Sequence, residues 1–164
     1  MSKEPEDGKP GDTVGVVAPP PAIFGVPLLV SLAANRRLAL RLLPERFRGL
    51  RHLAGWTLIA GGFGLLLWSG ATMRAAKTPV SPYSPSEKLV DGGPFAHSRN
   101  PIYTAMTLFY CGAALLGNSL PSIIPLPAVI ALMNRSVIER EETYLKRKFE
   151  AEYERYTERV GRWL

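Results

Sequence analysis

The chain has 164 residues, one domain's worth, of which 46% are hydrophobic and 21% charged, with a net charge of +6. Mean hydropathy is only +0.03, yet long charge-free stretches alternate with dense basic or mixed-charge ones, which a soluble domain would interleave more finely. The basic residues flank the apolar runs, which reads as membrane topology and not as a nucleic-acid surface, and a single cysteine, Cys111, excludes an intrachain disulfide and reads as packing.

Residues 1–13 read as a flexible polar tail, without the basic start and apolar core of a signal peptide. Val14 to Asn35 carries no charge and is long enough for one span, with helix expected from about Pro21 and a bend at Pro27. Arg36 to His52 is a basic connector whose six arginines alternate with leucines and Phe47. It is expected either to lie in the headgroup layer or simply to anchor the topology. Leu53 to Met73 is a second span, rich in glycines that let helices approach closely, with Trp56 and Trp68 near its ends.

Arg74 to Pro101 is a long polar loop containing Pro79, Pro82, Pro85, Pro94 and the pair Gly92-Gly93. Loops of this length are usually functional or disordered. Ile102 to Asn118 and Leu120 to Val137 read as a third and fourth span joined in a hairpin, with Pro125 and Pro127 distorting the start of the fourth. Glu139 to Leu164 is charged and helix-prone. The expected fold is an all-α integral membrane protein with about four transmembrane helices and a C-terminal amphipathic cytosolic helix.

Four spans put both termini and the Arg74–Pro101 loop on one side, with 14 Lys and Arg against the six arginines of the connector. The richer side is expected to be cytoplasmic.

The hairpin brings Arg99 to Tyr103 to the same membrane face as the start of the tail. Asn100 and Pro101 make a good helix start, a cap followed by proline at the first helical position. That leaves Arg99, which suits a carboxylate, and Tyr103 in the first turn, both unexplained by capping. In the tail, Ile138, Leu145, Phe149, Tyr153, Tyr156 and Val160 form an apolar stripe, and Glu141 falls on it. A carboxylate on a buried face needs a partner. Its neighbour Glu142 has a structural alternative as a solvated or salt-bridged pair with Arg99. His97 and His52 carry weaker arguments, His97 as a surface histidine that also lies nearest for base work. No metal site is expected.

In order, Leu89-Val90-Asp91-Gly92-Gly93-Pro94-Phe95, Ser98-Arg99-Asn100-Pro101-Ile102-Tyr103, Gly112, Glu141-Glu142 with Leu145, then Phe149, Tyr153, Tyr156 and Val160-Gly161-Arg162-Trp163-Leu164 resemble the isoprenylcysteine carboxyl methyltransferase and phospholipid methyltransferase superfamily. The resemblance covers roughly residues 77 to 164 and makes residues 74–164 a methyltransferase-like module behind two N-terminal spans (14–73). It implies an integral enzyme of the bacterial inner membrane with both termini and the cofactor site cytoplasmic. It further implies an S-adenosylmethionine pocket contributed by Val90, Gly92, Gly93, Arg99, Asn100, Pro101, Tyr103, Glu141 and Glu142, with Arg99, Tyr103 and Glu142 nearest the chemistry. The acceptor it implies is lipophilic and enters from the bilayer: an isoprenylcysteine-like carboxylate, a phospholipid amine or a thiol. In this resemblance Asn100 stands where many relatives have histidine, and Glu150 where a glycine often follows the aromatic, which leaves the substrate open. Arg155, Arg159 and Arg162 suit an anionic head group or the lipid surface equally. Two alternatives are a non-catalytic membrane adaptor, which would bind no cofactor, and a sterol-reductase-like NADPH enzyme, a class that is generally much longer.

Overall fold

The computed structural model describes residues 18–79 and 88–163. The expected polar tail, together with Pro82, Pro85 and Leu164, lies outside the described residues. The described chain is helical: α1 (Pro20–Leu38), α2 (Arg48–Ala75), α3 (Pro101–Leu116), α4 (Leu120–Ile123), α5 (Leu126–Met133) and α6 (Glu139–Arg159). Short 3-10 turns at Glu45–Phe47 and Gly93–Ala96 precede α2 and α3. Among the described residues the only bridge of sheet type is the isolated Arg41–Ser119 pairing.

Among the described residues two helical paths are long and apolar enough to cross a membrane, Glu45–Ala75 and Leu120–Arg159, and α3 is a shorter apolar helix. The second path has 40 residues, about twice the roughly 20 that a bilayer core takes. Its apolar part is the first half. From Glu139 onward, through α6, charged residues are dense. Val26, Leu29, Val30, Leu53, Trp56, Phe63, Leu67 and Leu132 are all about half exposed or more, leaving a broad apolar outer surface of the kind a lipid environment covers.

α2 and α3 pack at close range because glycines face each other. A Cβ on Gly112 would meet Ile59 Cγ1 at 2.8 Å and Gly55 O at 2.9 Å. One on Gly55 would meet Leu116 at 2.8 Å. Small residues at such a crossing trade side-chain volume for backbone proximity. α1 closes the core: Ile23 and Phe24 are buried with Tyr103, Tyr110, Val129, Met133, Val137 and Ile138.

The basic connector is shorter and more ordered than its sequence suggests, because α1 runs on to Leu38 and α2 begins at Arg48. Arg51 belongs to α2 and is buried, neither reaching for phosphate nor anchoring at the surface. Its Nη1 donates to Leu115 O and Leu116 O, both at 2.7 Å. A cation there satisfies the last carbonyls of α3 and complements the negative end of its dipole. Asn118, at φ 46, accepts from Leu43 N at 2.9 Å and donates to Leu43 O at 3.0 Å. The connector is thereby tied to the α3–α4 turn, at the end of the helices away from Arg99.

Pro125 and Pro127 have the expected effect: the helix breaks between Ile123 and Leu126. Downstream, Asn134–Ile138 is a π-helical segment, a feature common at functional sites, and it leads straight into α6.

Candidate functional site

The site lies where the start of α3, the 88–100 loop, α6 and the C-terminal strap Val160–Trp163 meet. Asn100 does not cap α3 with its side chain. It donates from Nδ2 to Arg162 O at 2.9 Å, while its own amide donates to Ser98 Oγ at 3.1 Å. Pro101 occupies the first helical position, as expected. Proline's missing N–H costs nothing at that position, and the polar cap is free to hold another element.

The Arg99 side chain is 16% exposed, and the residue contacts both the strap and α6. Its amide donates to Gly161 O at 3.0 Å. Its Nη1 lies 3.0 Å from Glu142 Oε1 and 3.4 Å from the Tyr153 hydroxyl. Its Nε is buried without a hydrogen-bond partner, an arrangement native proteins seldom leave unexplained. Arg99 also stands between two cavities. One is an open groove of about 450 Å³ bordered by Glu142, Thr143, Lys146, Tyr153 and Thr157. The other is a pocket of about 90 Å³ among Met73, Leu89, Val90, Phe95, Leu145 and Tyr156.

Glu142 is held by two guanidiniums. Arg162 donates from Nε to Oε1 at 3.0 Å and from Nη2 to Oε2 at 2.6 Å, and Arg99 adds its contact to Oε1. The bond to Glu142 raises the pKa of Arg162 further. Arg162 is therefore paired with a carboxylate while its side chain stays 35% exposed, and Arg159 forms an exposed pair with Asp91 at 3.2 Å. The neighbouring carboxylate has a separate partner, because the Tyr103 hydroxyl donates to Glu141 Oε1 at 2.6 Å. Burial raises the Glu141 pKa from 4.5 to about 7, against the lowering effect of the Tyr103 bond and with a smaller upward push from Glu142. Burial likewise pushes the Tyr153 and Tyr156 hydroxyls up.

The loop is pinned on both sides. Tyr156 donates to Phe95 O at 2.7 Å. Gly93 adopts φ +59, and a Cβ there would meet Thr72 Oγ1 at 2.8 Å, so only glycine fits its turn against α2. Val90 lines the small pocket. Gly92 is exposed and Gly93 packs on α2, so neither borders the two cavities named. His97 is exposed.

Two features escape a reading of the sequence. α6 is kinked at Glu150, at φ 41 and ψ −118, so its second half swings Tyr153, Tyr156 and the strap onto the loop. The strap itself is stitched to the π-helical segment and to α3: Trp163 Nε1 donates to Asn134 Oδ1 at 3.2 Å, and Thr104 Oγ1 donates to Trp163 O at 3.4 Å.

The phospholipid methyltransferase family model matches residues 50–152, from the start of α2 past the kink in α6. An uncharacterized protein of Haemophilus influenzae is 49% identical over 49 residues, 30% of this chain and 76% of that protein. No solved structure matches. A match over more than half the chain, ending in the helix that carries Glu141 and Glu142, settles its kinship: the chain belongs to the phospholipid methyltransferase family.

Proposed function

We propose that the protein transfers a methyl group from S-adenosylmethionine to a lipophilic acceptor at the membrane face. The observation that carries this reading is the buried Arg99, whose Nε has no partner and which stands between the two cavities. A buried guanidinium with a donor to spare fits the carboxylate of an amino-acid-like cofactor. The cofactor supplies an electrophilic methyl group. The chain's own work is to hold the reactants in line and keep water out.

In this reading Arg99 takes the cofactor's carboxylate while Glu142 fixes the guanidinium's direction. Glu141 and Glu142 offer acceptors to the ammonium or ribose hydroxyls. Tyr103 presents a ring to the sulfonium, an attraction of about 0.5–2 kcal/mol. Val90 lines the small pocket, and Gly93 holds the loop that carries it against α2. α1 and α3 complete a four-span arrangement in the bacterial inner membrane, with α6 and the site in the cytoplasm. The acceptor, whether phospholipid amine, isoprenylcysteine-like carboxylate or thiol, enters from the bilayer.

The test is to supply S-adenosylmethionine labelled in its methyl group to membranes containing the protein, then extract and separate the lipids. Label in a lipid fraction, absent with Arg99→Ala, supports the reading. Equal labelling with and without the protein overturns it.

A further inference from the structure

The C-terminal strap makes more contacts with the site than a helix end needs. Gly161 O accepts from the Arg99 amide, and Arg162 O accepts from Asn100 Nδ2, so consecutive strap residues grip consecutive residues of the α3 start. The Arg162 side chain turns the other way and meets both oxygens of Glu142. Glu142 in turn touches Arg99. A closed ring results, in which the strap sets the backbone of Arg99 directly and its guanidinium through Glu142.

Geometry decides what Arg162 contributes. Arg99 meets only Oε1 of Glu142 and leaves rotation of the carboxylate undetermined. The two-pronged contact of Arg162 fixes its plane, because the guanidinium fork matches both oxygens at once. Arg162 also compensates charge. Without it, the partly buried Glu142 keeps a single cation, Arg99, and competes with any anionic ligand for it. With it, the Glu142 charge is divided between two guanidiniums, and Arg99 is less fully neutralised. The other basic residues of the tail's end do not share this role: Arg155 is exposed, and Arg159 bonds Asp91 at the surface.

We propose that Arg162 is a positioning residue for the cofactor site, acting through Glu142 to aim Arg99 and to leave it free for an anion. The inference rests on the cofactor reading above and adds the C-terminal strap to its machinery.

The experiment is a calorimetric titration of S-adenosylhomocysteine into the full-length detergent-purified protein, with helicity and thermal midpoint measured on every sample. The variants are Arg162→Ala, Arg162→Lys, Glu142→Gln and the Arg162→Ala/Glu142→Gln double. Loss of a two-pronged charged contact is expected to weaken binding about tenfold to a hundredfold in Arg162→Ala. Arg162→Lys keeps the charge without the fork, is expected to fold, and should fall between the two. In the Glu142→Gln background the Arg162→Ala effect should largely vanish, and in Arg162→Lys binding should weaken at a thermal midpoint near that of the wild type, which a merely structural staple would not produce. Binding by Arg162→Ala or Arg162→Lys as tight as wild type overturns the inference alone. An equal loss in both backgrounds overturns it as well, because Arg162 would then act independently of Glu142. Failure of the wild type to bind overturns the cofactor reading and this inference with it.

Discussion

The Tyr103 hydroxyl donates to Glu141 Oε1 over 2.6 Å, joining the start of α3 to the start of α6 through a partly buried carboxyl whose pKa is raised from 4.5 to about 7. Burial is the main cause, and the sign of its consequence is definite. The folded protein holds a proton that the unfolded chain releases near pH 4.5, so stability is greatest below that value and falls as pH rises to about 7. The upper bound of the loss is about 3 kcal/mol. Thermal midpoints in a fixed detergent are expected to drop across this window in the wild type. In Glu141→Gln that component should be absent. An unchanged pH profile in the variant would remove Glu141 as its source.

Glu150 holds a left-handed conformation, at φ 41, within α6. A non-glycine residue in such a region costs on the order of 1–3 kcal/mol, and glycine avoids most of it. Glu150→Gly is expected to raise the thermal midpoint, by about 1 kcal/mol in stability, with the kink retained. Glu150→Pro is a less useful variant, since proline cannot adopt positive φ. A lower midpoint for Glu150→Gly would mean that the kink is not a strained point.

Arg51 carries the last carbonyls of α3 on its guanidinium. Removing it takes a charged donor from Leu116 O, while Leu115 O keeps the Asn118 amide at 3.0 Å, at a cost of about 1–3 kcal/mol. Arg51→Met, which keeps much of the volume, is expected to lower the midpoint by that amount. The exposed Arg48 to Met is expected to change it little. Equal effects of the two substitutions would argue that Arg51 contributes only charge at the interface.

Much of the helix layout was legible because charge segregation and proline placement act locally: Pro101 at the start of α3 and Pro125 at the break before α5 both lie where their chemistry puts them. Hairpin reasoning was also enough to bring Arg99 to the same face as Glu142, and the 3.0 Å contact between them is the one named as the structural alternative to a ligand role. The rest needs tertiary information. Arg51 looks like any of six connector arginines until α3 is packed against α2. Arg162 looks like the third of three basic residues at helical spacing, Arg155, Arg159 and Arg162. Only the kink at Glu150 and the extended backbone at Val160, φ −126 and ψ 126, turn it back twenty residues onto Glu142. Asn100 reads as a cap because the sequence cannot show that Arg162 O competes for its amide.

The central claim, that this site binds an S-adenosylmethionine-type cofactor through Arg99, is tested most directly by titrating S-adenosylhomocysteine into wild type and Arg99→Ala, each shown to be folded by its helicity. Saturable one-site binding by the wild type and its loss in Arg99→Ala is the expected result. No binding by folded wild type, or equal binding by both, would contradict the account.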